Sequence, residues 1–154
     1  MLRRFGEPPE TGRIYTLRTG AYAILPGEDG LLVTYQSAEN SEYQLPGGGV
    51  DPGESPTQAL VREVHEETGW RIARPQRLGA YRRFTFMPEY DLWAEKLCLI
   101  YMALPVMCYG PPTEADHTAL WMTPDIALRH LVNSGDREFV RRFALRAAIF
   151  QKRG

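Results

Sequence analysis

The sequence has few cysteines and no long apolar run. Cys98 and Cys108 are its two cysteines, and neither lies in a close Cys or His pair. This spacing argues against a zinc site or a redox dithiol, so both are expected to be buried apolar residues. No run of about 18 apolar residues occurs, nor does an apolar segment follow the basic start at Arg3 and Arg4. We expect no transmembrane helix or signal peptide, and therefore a cytoplasmic protein.

The chain also lacks an excess of charge of either sign. Its 18 basic residues nearly balance its 19 acidic ones, which gives a formal net charge of −1. This balance makes nucleic acid an unlikely main partner and gives no reason to expect membrane binding. The apolar, aromatic-rich strands could form the interface of a homodimer.

No internal repeat, low-complexity tract or linker divides the sequence. A chain of 154 residues is long enough to bury a core without disulfides or a structural metal. We therefore expect a single domain over 1–154, with its core at about 13–151.

Apolar alternation and turn residues predict several strands. The predicted strands are 13–17, 21–25, 31–36, 43–45, 78–86, 97–107 and 119–122. The turn residues at 26–30 predict that the second and third strands form a hairpin. The three glycines at 47–49 predict a loop, because glycine adopts conformations closed to other residues.

The strongest local signals bound a helix at 56–68. Ser55 is a typical N-cap residue, Gln58 completes a capping box with it, and Gly69 marks the end. Two more helices are predicted, at 124–131 and from about 136 onward. Strands mixed with helices over one core predict an α/β fold, a sandwich around a mixed β-sheet.

Three carboxylates share one arc of the predicted helix. Glu63, Glu66 and Glu67 are spaced i, i+3 and i+4, which places their side chains beside one another. The arc expected to face the core contains Leu60, Val61, Val64 and Thr68. Like charges at this spacing cost a few tenths of a kcal/mol on a helix, so we expect a cation to offset them. Clustered carboxylates suit Mg²⁺, although a solvated helix face is the alternative.

The order of residues around this helix is specific. The segment 47–70, GGGVDPGESPTQALVREVHEETGW, resembles the Nudix box: Gly, five residues, Glu, seven residues, then Arg-Glu-U-x-Glu-Glu-x-Gly-U, where U is apolar. Every fixed position is matched, by Gly48, Glu54, Arg62, Glu63, Glu66, Glu67 and Gly69. Val64 and Trp70 fill the apolar positions, and Trp70 departs from the aliphatic residue that the family usually has there.

The resemblance implies a fold and a chemistry. Nudix proteins are α/β/α sandwiches, and most hydrolyse a nucleoside diphosphate linked to another moiety, using Mg²⁺ or Mn²⁺ and water attack at phosphorus. By resemblance, the three helix glutamates would bind the metal, the Gly48 backbone would lie against metal or phosphate, and Arg62 and Glu54 would orient the carboxylates. ADP-ribose, nucleotide sugars, dinucleoside polyphosphates and nucleoside triphosphates all stay open as substrates. The alternative is a Nudix-fold ligand sensor without turnover.

The family often takes a further carboxylate from a loop beyond this motif. Glu114 is our first candidate for that catalytic role and Asp116 the second, in a Pro/Gly-rich loop that we expect to close over substrate. His117, in the same loop, is expected to be incidental, and His65 is expected to face solvent.

Substrate contacts are predicted from one strand. Arg82, Phe84 and Phe86 alternate with Tyr81, Arg83 and Thr85, so each set shares a face. We expect Arg82, Phe84 and Phe86 to hold a base and a phosphate, with the other set in the core. The alternative is that the aromatic residues are all core and the arginines solvated.

Overall fold

The computed structural model describes residues 2–38 and 40–153, whose strands form two sheets. The strands are β1 (Arg3–Arg4), β2 (Thr16–Ile24), β3 (Pro26–Gly27), β4 (Gly30–Gln36), β5 (Glu42–Gln44), β6 (Gly47–Gly49), β7 (Trp70–Met87), β8 (Leu92–Cys108) and β9 (His117–Met122). The helices are α1 (Pro56–Thr68), α2 (Pro124–His130) and α3 (Ser134–Arg153). The larger sheet has the order β1-β7-β8-β2-β6, with β2 parallel to β8. In the smaller sheet β4 pairs with β9, β3 and β5.

Helices cover the larger sheet on both faces. Ala21 of β2 belongs to the buried cluster that contains Leu60 and Val64 of α1. Ile24, on the opposite face of the same strand, belongs to the cluster that contains Phe139 of α3. The predicted α/β sandwich around a mixed β-sheet is confirmed.

The predicted strand at 13–17 and the predicted hairpin are wrong in part. β2 begins only at Thr16, and it enters the larger sheet between β8 and β6. The turn at 27–30 exists, but it joins β3 to β4 in the smaller sheet. The chain changes sheets at Leu25, whose carbonyl accepts a hydrogen bond from the Leu32 amide at 3.0 Å. Turn residues act locally, whereas strand partners depend on distant segments.

The predicted loop at 47–49 is a strand. β6 pairs antiparallel with residues 20–22 of β2. Gly47 has φ of 145°, and a Cβ there would overlap the Ala21 carbonyl oxygen. Glycine is thus needed for close approach of two backbones here. The predicted strands 78–86 and 97–107 are the C-terminal parts of β7 and β8, which form a longer antiparallel pair with irregularities in register.

Some expected positions of single side chains are also wrong. Val61 is 41% exposed, because it lies at the edge of the apolar arc of α1. Cys98 is buried as expected, but Cys108, the last residue of β8, is exposed. His65 is half-buried, since its ring packs edge-on against Tyr109.

Among the described residues, no helix is both long enough and apolar enough to cross a membrane.

Candidate functional site

The cap residues that the sequence predicts hold α1 at both ends. Ser55 Oγ accepts a hydrogen bond from the Gln58 amide at 3.1 Å, and Gln58 Oε1 accepts one from the Ser55 amide at 2.8 Å. Gly69 ends the helix with φ of 77° and donates its amide to the His65 carbonyl. These bonds and the buried side chains of α1 fix its rotation about its axis, so its carboxylate arc lies beside β6.

Arg62 connects this arc to the preceding loop. Its guanidinium donates two hydrogen bonds of 2.8 Å to Glu54, one through Nε and one through Nη2. It also donates to Glu63 at 2.9 Å, to Glu66 at 3.4 Å and to the Gly49 carbonyl at 3.1 Å. The hydrogen bond from Arg62 is the main reason why the pKa of Glu54 falls to about 2. Arg62 therefore holds several anions in place at once.

The surroundings of Glu67 and Glu63 disfavour the charged forms of these carboxyl groups. Glu67 is 5% exposed and accepts a hydrogen bond from the Gly47 amide at 3.3 Å. Burial, and next the charge of Glu63, raise the pKa of Glu67 well above its usual value. Burial also raises the pKa of Glu63. Two crowded carboxylates would each gain from a cation between them.

Gly48 leaves the space that one of these carboxylates occupies. A Cβ at this position would overlap the carboxylate of Glu63, whereas a Cβ on neighbouring Gly49 would have no atom within 4 Å. Gly48 lies opposite Ala21 in the pairing of β6 with β2. The fixed backbone of β6 therefore runs directly beneath the Glu63 carboxylate.

The loop at 109–116 is fastened to the end of α1. The Thr113 and Glu114 amides both donate to the Glu66 carbonyl, at 2.9 and 3.1 Å. The Asp116 carbonyl accepts from the Ser37 amide at 2.9 Å. The loop is therefore tied to α1 by backbone hydrogen bonds, and its closure over substrate stays a prediction.

His117 is a structural partner of Glu114, which corrects the expectation that it is incidental. Its Nε2 lies 3.1 Å from Glu114 Oε2, and its Nδ1 lies 2.9 Å from Thr34 Oγ1. Burial lowers the pKa of His117, so the neutral imidazole is favoured. With the proton on Nε2, the ring donates to Glu114 and accepts from Thr34. Asp116 is farther away, with an oxygen 4.0 Å from His117 Nε2.

The carboxylates fit a divalent cation. Oxygens of Glu63, Glu66 and Glu114 all lie within 4.8 Å of one another. Glu67 lines the same cavity as Glu63, and it accepts a hydrogen bond from the Gly47 amide. Hard carboxylate oxygens suit Mg²⁺ or Mn²⁺, which keep waters and phosphate oxygens in their coordination shell.

Glu63, Glu67 and Glu114 line a cavity of about 1120 Å³ that extends over the larger sheet. Phe84 and Phe86 line the cavity, and their contact with substrate stays a prediction, whereas Arg82 does not line it: its guanidinium lies 3.5 Å from Glu95. Arg83, which we expected to be in the core, lines the cavity instead. The prediction for Arg82 is therefore wrong in placement.

Sequence reasoning missed most of the cavity floor. The floor residues outside the predicted set are Arg18, Gly20, Tyr22, Tyr81, Arg83, Lys96, Cys98 and Asp136. They come from β2, β7, β8 and α3, which lie side by side only after folding. Alternation predicted that one face of β7 would contact substrate and the other would be core, but residues of both sets, such as Arg83 and Phe84, line the cavity.

Comparisons with known proteins agree on one family description. A family model described as "NUDIX domain" matches residues 15–143. A Bacillus subtilis protein named "Putative 8-oxo-dGTP diphosphatase" is 39% identical over 74 residues, which is 48% of this chain and 50% of that protein. A Francisella tularensis protein named "RNA pyrophosphohydrolase" is 53% identical over 57 residues, 37% of this chain and 35% of that protein.

Solved structures show the same fold. A structure described as "NUDIX hydrolase from Nitrosomonas europaea" superposes with a TM-score of 0.70, covering 84% of this chain and 90% of that one, at 18% identity. The aligned region spans only half or less of the length of the two curated relatives above.

Proposed function

The chain belongs to the Nudix family, and we propose that it is a pyrophosphohydrolase that cleaves a diphosphate bond in a nucleoside diphosphate linked to another moiety. The observation that supports this proposal is that oxygens of Glu63, Glu66 and Glu114 lie close together and that Glu63 and Glu114 line a cavity large enough for a nucleotide. We also propose that residues 1–154 make one hydrolase domain.

Glu63, Glu66 and Glu67 would hold the metal ion. Mg²⁺ or Mn²⁺ bound there supplies Lewis acidity, which neutralises diphosphate charge and lowers the pKa of a bound water. Arg62 keeps the carboxylates of Glu63 and Glu66 in position through its bond to Glu54. Because Gly48 has no side chain, the Glu63 carboxylate can lie directly against the backbone of β6.

Glu114 would remove the proton from the attacking water. Burial, and then the charges of Glu66 and Asp116, raise the pKa of Glu114, which makes its carboxylate a better base near neutral pH. His117 donates from Nε2 to one oxygen of this carboxylate and leaves the other oxygen available for the water. Thr34 fixes the ring from its other side.

The substrate classes are those with a nucleotide and a phosphoric anhydride. The names of the two curated relatives refer to 8-oxo-dGTP and to RNA. We propose nucleoside triphosphates as the first class to test, followed by RNA with a 5′-triphosphate, ADP-ribose, nucleotide sugars and dinucleoside polyphosphates.

Incubating the protein with each of these compounds and millimolar Mg²⁺ tests the proposal. We expect release of a nucleoside monophosphate or of diphosphate from at least one compound, and no release in the presence of excess EDTA. Glu66→Gln, measured in parallel, detects a contaminating enzyme. Tight binding of a nucleotide without any release would instead support a ligand sensor.

A further inference from the structure

Three cations stand in a row across the floor of the cavity. Lys96 of β8 lies directly opposite Arg18 of β2 on one side and Arg83 of β7 on the other. Directly opposed residues of neighbouring strands share a face, with Cβ atoms about 5 Å apart. All three residues line the cavity. Like charges in this arrangement destabilise a sheet, so the row needs another explanation than packing.

The protein gives this cation row little compensation. Among residues 2–38 and 40–153, no carboxylate oxygen lies within 4.0 Å of any of the three cations. The Nε of Arg83 is buried and has no hydrogen-bond partner among the described residues. Asp136, a buried carboxylate that also lines the cavity, accepts a hydrogen bond from Tyr81 at 2.6 Å, and Glu89 lines the exposed edge.

Aromatic rings hold two members of the row without using their hydrogen-bond donors. The guanidinium of Arg18 lies 4.4 Å from the centroid of the Tyr90 ring, and Lys96 Nζ lies 5.8 Å from that of Tyr22. Such contacts orient a cation and leave its N–H groups available for another acceptor. The row is therefore placed to donate to a ligand in the cavity.

The row is separate from the carboxylates of the proposed metal site. Gly48 pairs with Ala21, three residues along β2 from Arg18, and Lys96 lies two strands from β6. At about 3.3 Å per residue and about 4.8 Å per strand, the backbones of Gly48 and Lys96 are about 14 Å apart. Ala21 and Arg18 point to opposite faces of β2, so the two sites lie on opposite faces of the sheet. Residues of both sites line the cavity, which passes β6 at the edge of the sheet, so a nucleotide could reach from one site toward the other.

We propose that Arg18, Lys96 and Arg83 bind a phosphate group of the substrate that lies outside the diphosphate to be hydrolysed. The inference rests on the proposed function for the position of that diphosphate. An anion is favoured over the edge of a base, because an anion offsets the charge of three cations that have no carboxylate of the described residues within 4.0 Å. The preferred substrates would then be nucleotides with a further phosphate on the ribose or on a second nucleoside.

Titration calorimetry in EDTA tests the row without metal binding or turnover. Without metal the carboxylate end repels anions, so affinity gained from a phosphate must come from elsewhere in the cavity. We expect wild type to bind AMP at least about tenfold more tightly than adenosine. In Lys96→Gln and in Arg83→Gln, this ratio should fall to about threefold or less. Arg77→Gln, an exposed arginine of β7 outside the cavity, should retain it.

Melting curves separate binding from a structural role. Removing one of three like charges should leave the melting temperature of Lys96→Gln unchanged or higher. Equal binding of AMP and adenosine by wild type would overturn the proposal, as would an AMP preference that survives in both variants. A preference for guanosine over adenosine that disappears in Lys96→Gln, with no gain from phosphate, would assign the row to a base and also overturn it.

Once a substrate is known, a second phosphate provides a kinetic test. We expect kcat/KM to be about tenfold higher for ADP-ribose 2′-phosphate than for ADP-ribose, and expect Lys96→Gln to remove the difference. If wild type hydrolyses none of the compounds, the proposed function is contradicted. The calorimetric comparison of AMP with adenosine does not depend on hydrolysis and tests the cation row alone.

Discussion

Gly48 and Glu63 share a space that admits one side chain. The Glu63 carboxylate lies where a Cβ of residue 48 would be, so the sequence requires a glycine here for steric reasons. Gly49 has no such neighbour. A side chain at residue 48 would therefore displace the Glu63 carboxylate, whereas a side chain at residue 49 would not.

Gly48→Ala should displace the Glu63 carboxylate while the fold is retained, because a flexible side chain can rotate away. We expect binding of Mn²⁺ to weaken by about 10- to 100-fold, the usual cost of disturbing a ligand's orientation. Titration calorimetry of Mn²⁺ measures this effect. Gly49→Ala is the matched control, and equal affinities in the two variants would contradict the steric argument.

Glu114→Gln should lower kcat by about ten- to a thousandfold with little change in KM, because the group lost is a general base. Asp116→Asn should do less, since Asp116 is grouped with Glu114 and His117 but not with Glu63 and Glu66 of α1. Steady-state kinetics on the first substrate found provide the comparison. An unchanged kcat in Glu114→Gln would place the base on α1, with Glu63 as the next candidate.

At the scale of elements, α1 was the easiest to predict and β6 among the hardest. The ends of α1 depend on Ser55, Gln58 and Gly69, which act on their own neighbours, so the sequence shows them directly. The carboxylate arc follows from helix geometry alone. β6, by contrast, is a strand only because β2 pairs with it, and three consecutive glycines give no β-propensity signal.

The floor of the cavity could not be predicted for the same reason. The cation row needs the register of three strands that are not all neighbours in sequence. His117 was missed because its partner Thr34 comes from β4, on a different part of the chain. Residue type and spacing identified the acid cluster, while the basic cluster became visible only in the folded sheet.

Glu67→Gln should reduce turnover by at least about a hundredfold and yet raise the melting temperature of the metal-free protein. Burial raises the pKa of Glu67, so its ionised form opposes folding. This penalty is absent below about pH 4 and grows as the pH rises above the unfolded-state pKa. Melting curves in EDTA from pH 4 to 8 should therefore diverge with increasing pH. A wild type that is more stable than Glu67→Gln at pH 8 would contradict this expectation.

At the scale of the whole molecule, carboxylates from α1 and from the loop after β8 meet at one end of the cavity. A cation that binds this arrangement in the native state, and not in the unfolded chain, must stabilise the fold. Cation binding at this site therefore adds to the stability of the whole fold, because the elements that position the carboxylates must be folded for the cation to bind.

Mg²⁺ should raise the stability of wild type by about 2.7 kcal/mol at a hundred times its Kd. The triple variant Glu63→Gln, Glu66→Gln, Glu67→Gln should show no such gain, because the ligand oxygens on α1 have been replaced. Thermal denaturation with and without Mg²⁺ measures both. Identical shifts in the two proteins would mean that the ion binds elsewhere.

The parallel pairing of β2 with β8 has a consequence for the order of folding. Gly20 and Cys98 are partners, although α1 and the whole of β7 lie between them in the chain. Such distant pairs form slowly, whereas the β7–β8 hairpin closes locally. We expect β2, and β6 with it, to join last, which substitutions along β2 would reveal by accelerating unfolding without slowing folding. The Gly48 backbone would then reach Glu63 only at the end, so a partly folded chain would hold its acidic helix without the strand that completes the metal site.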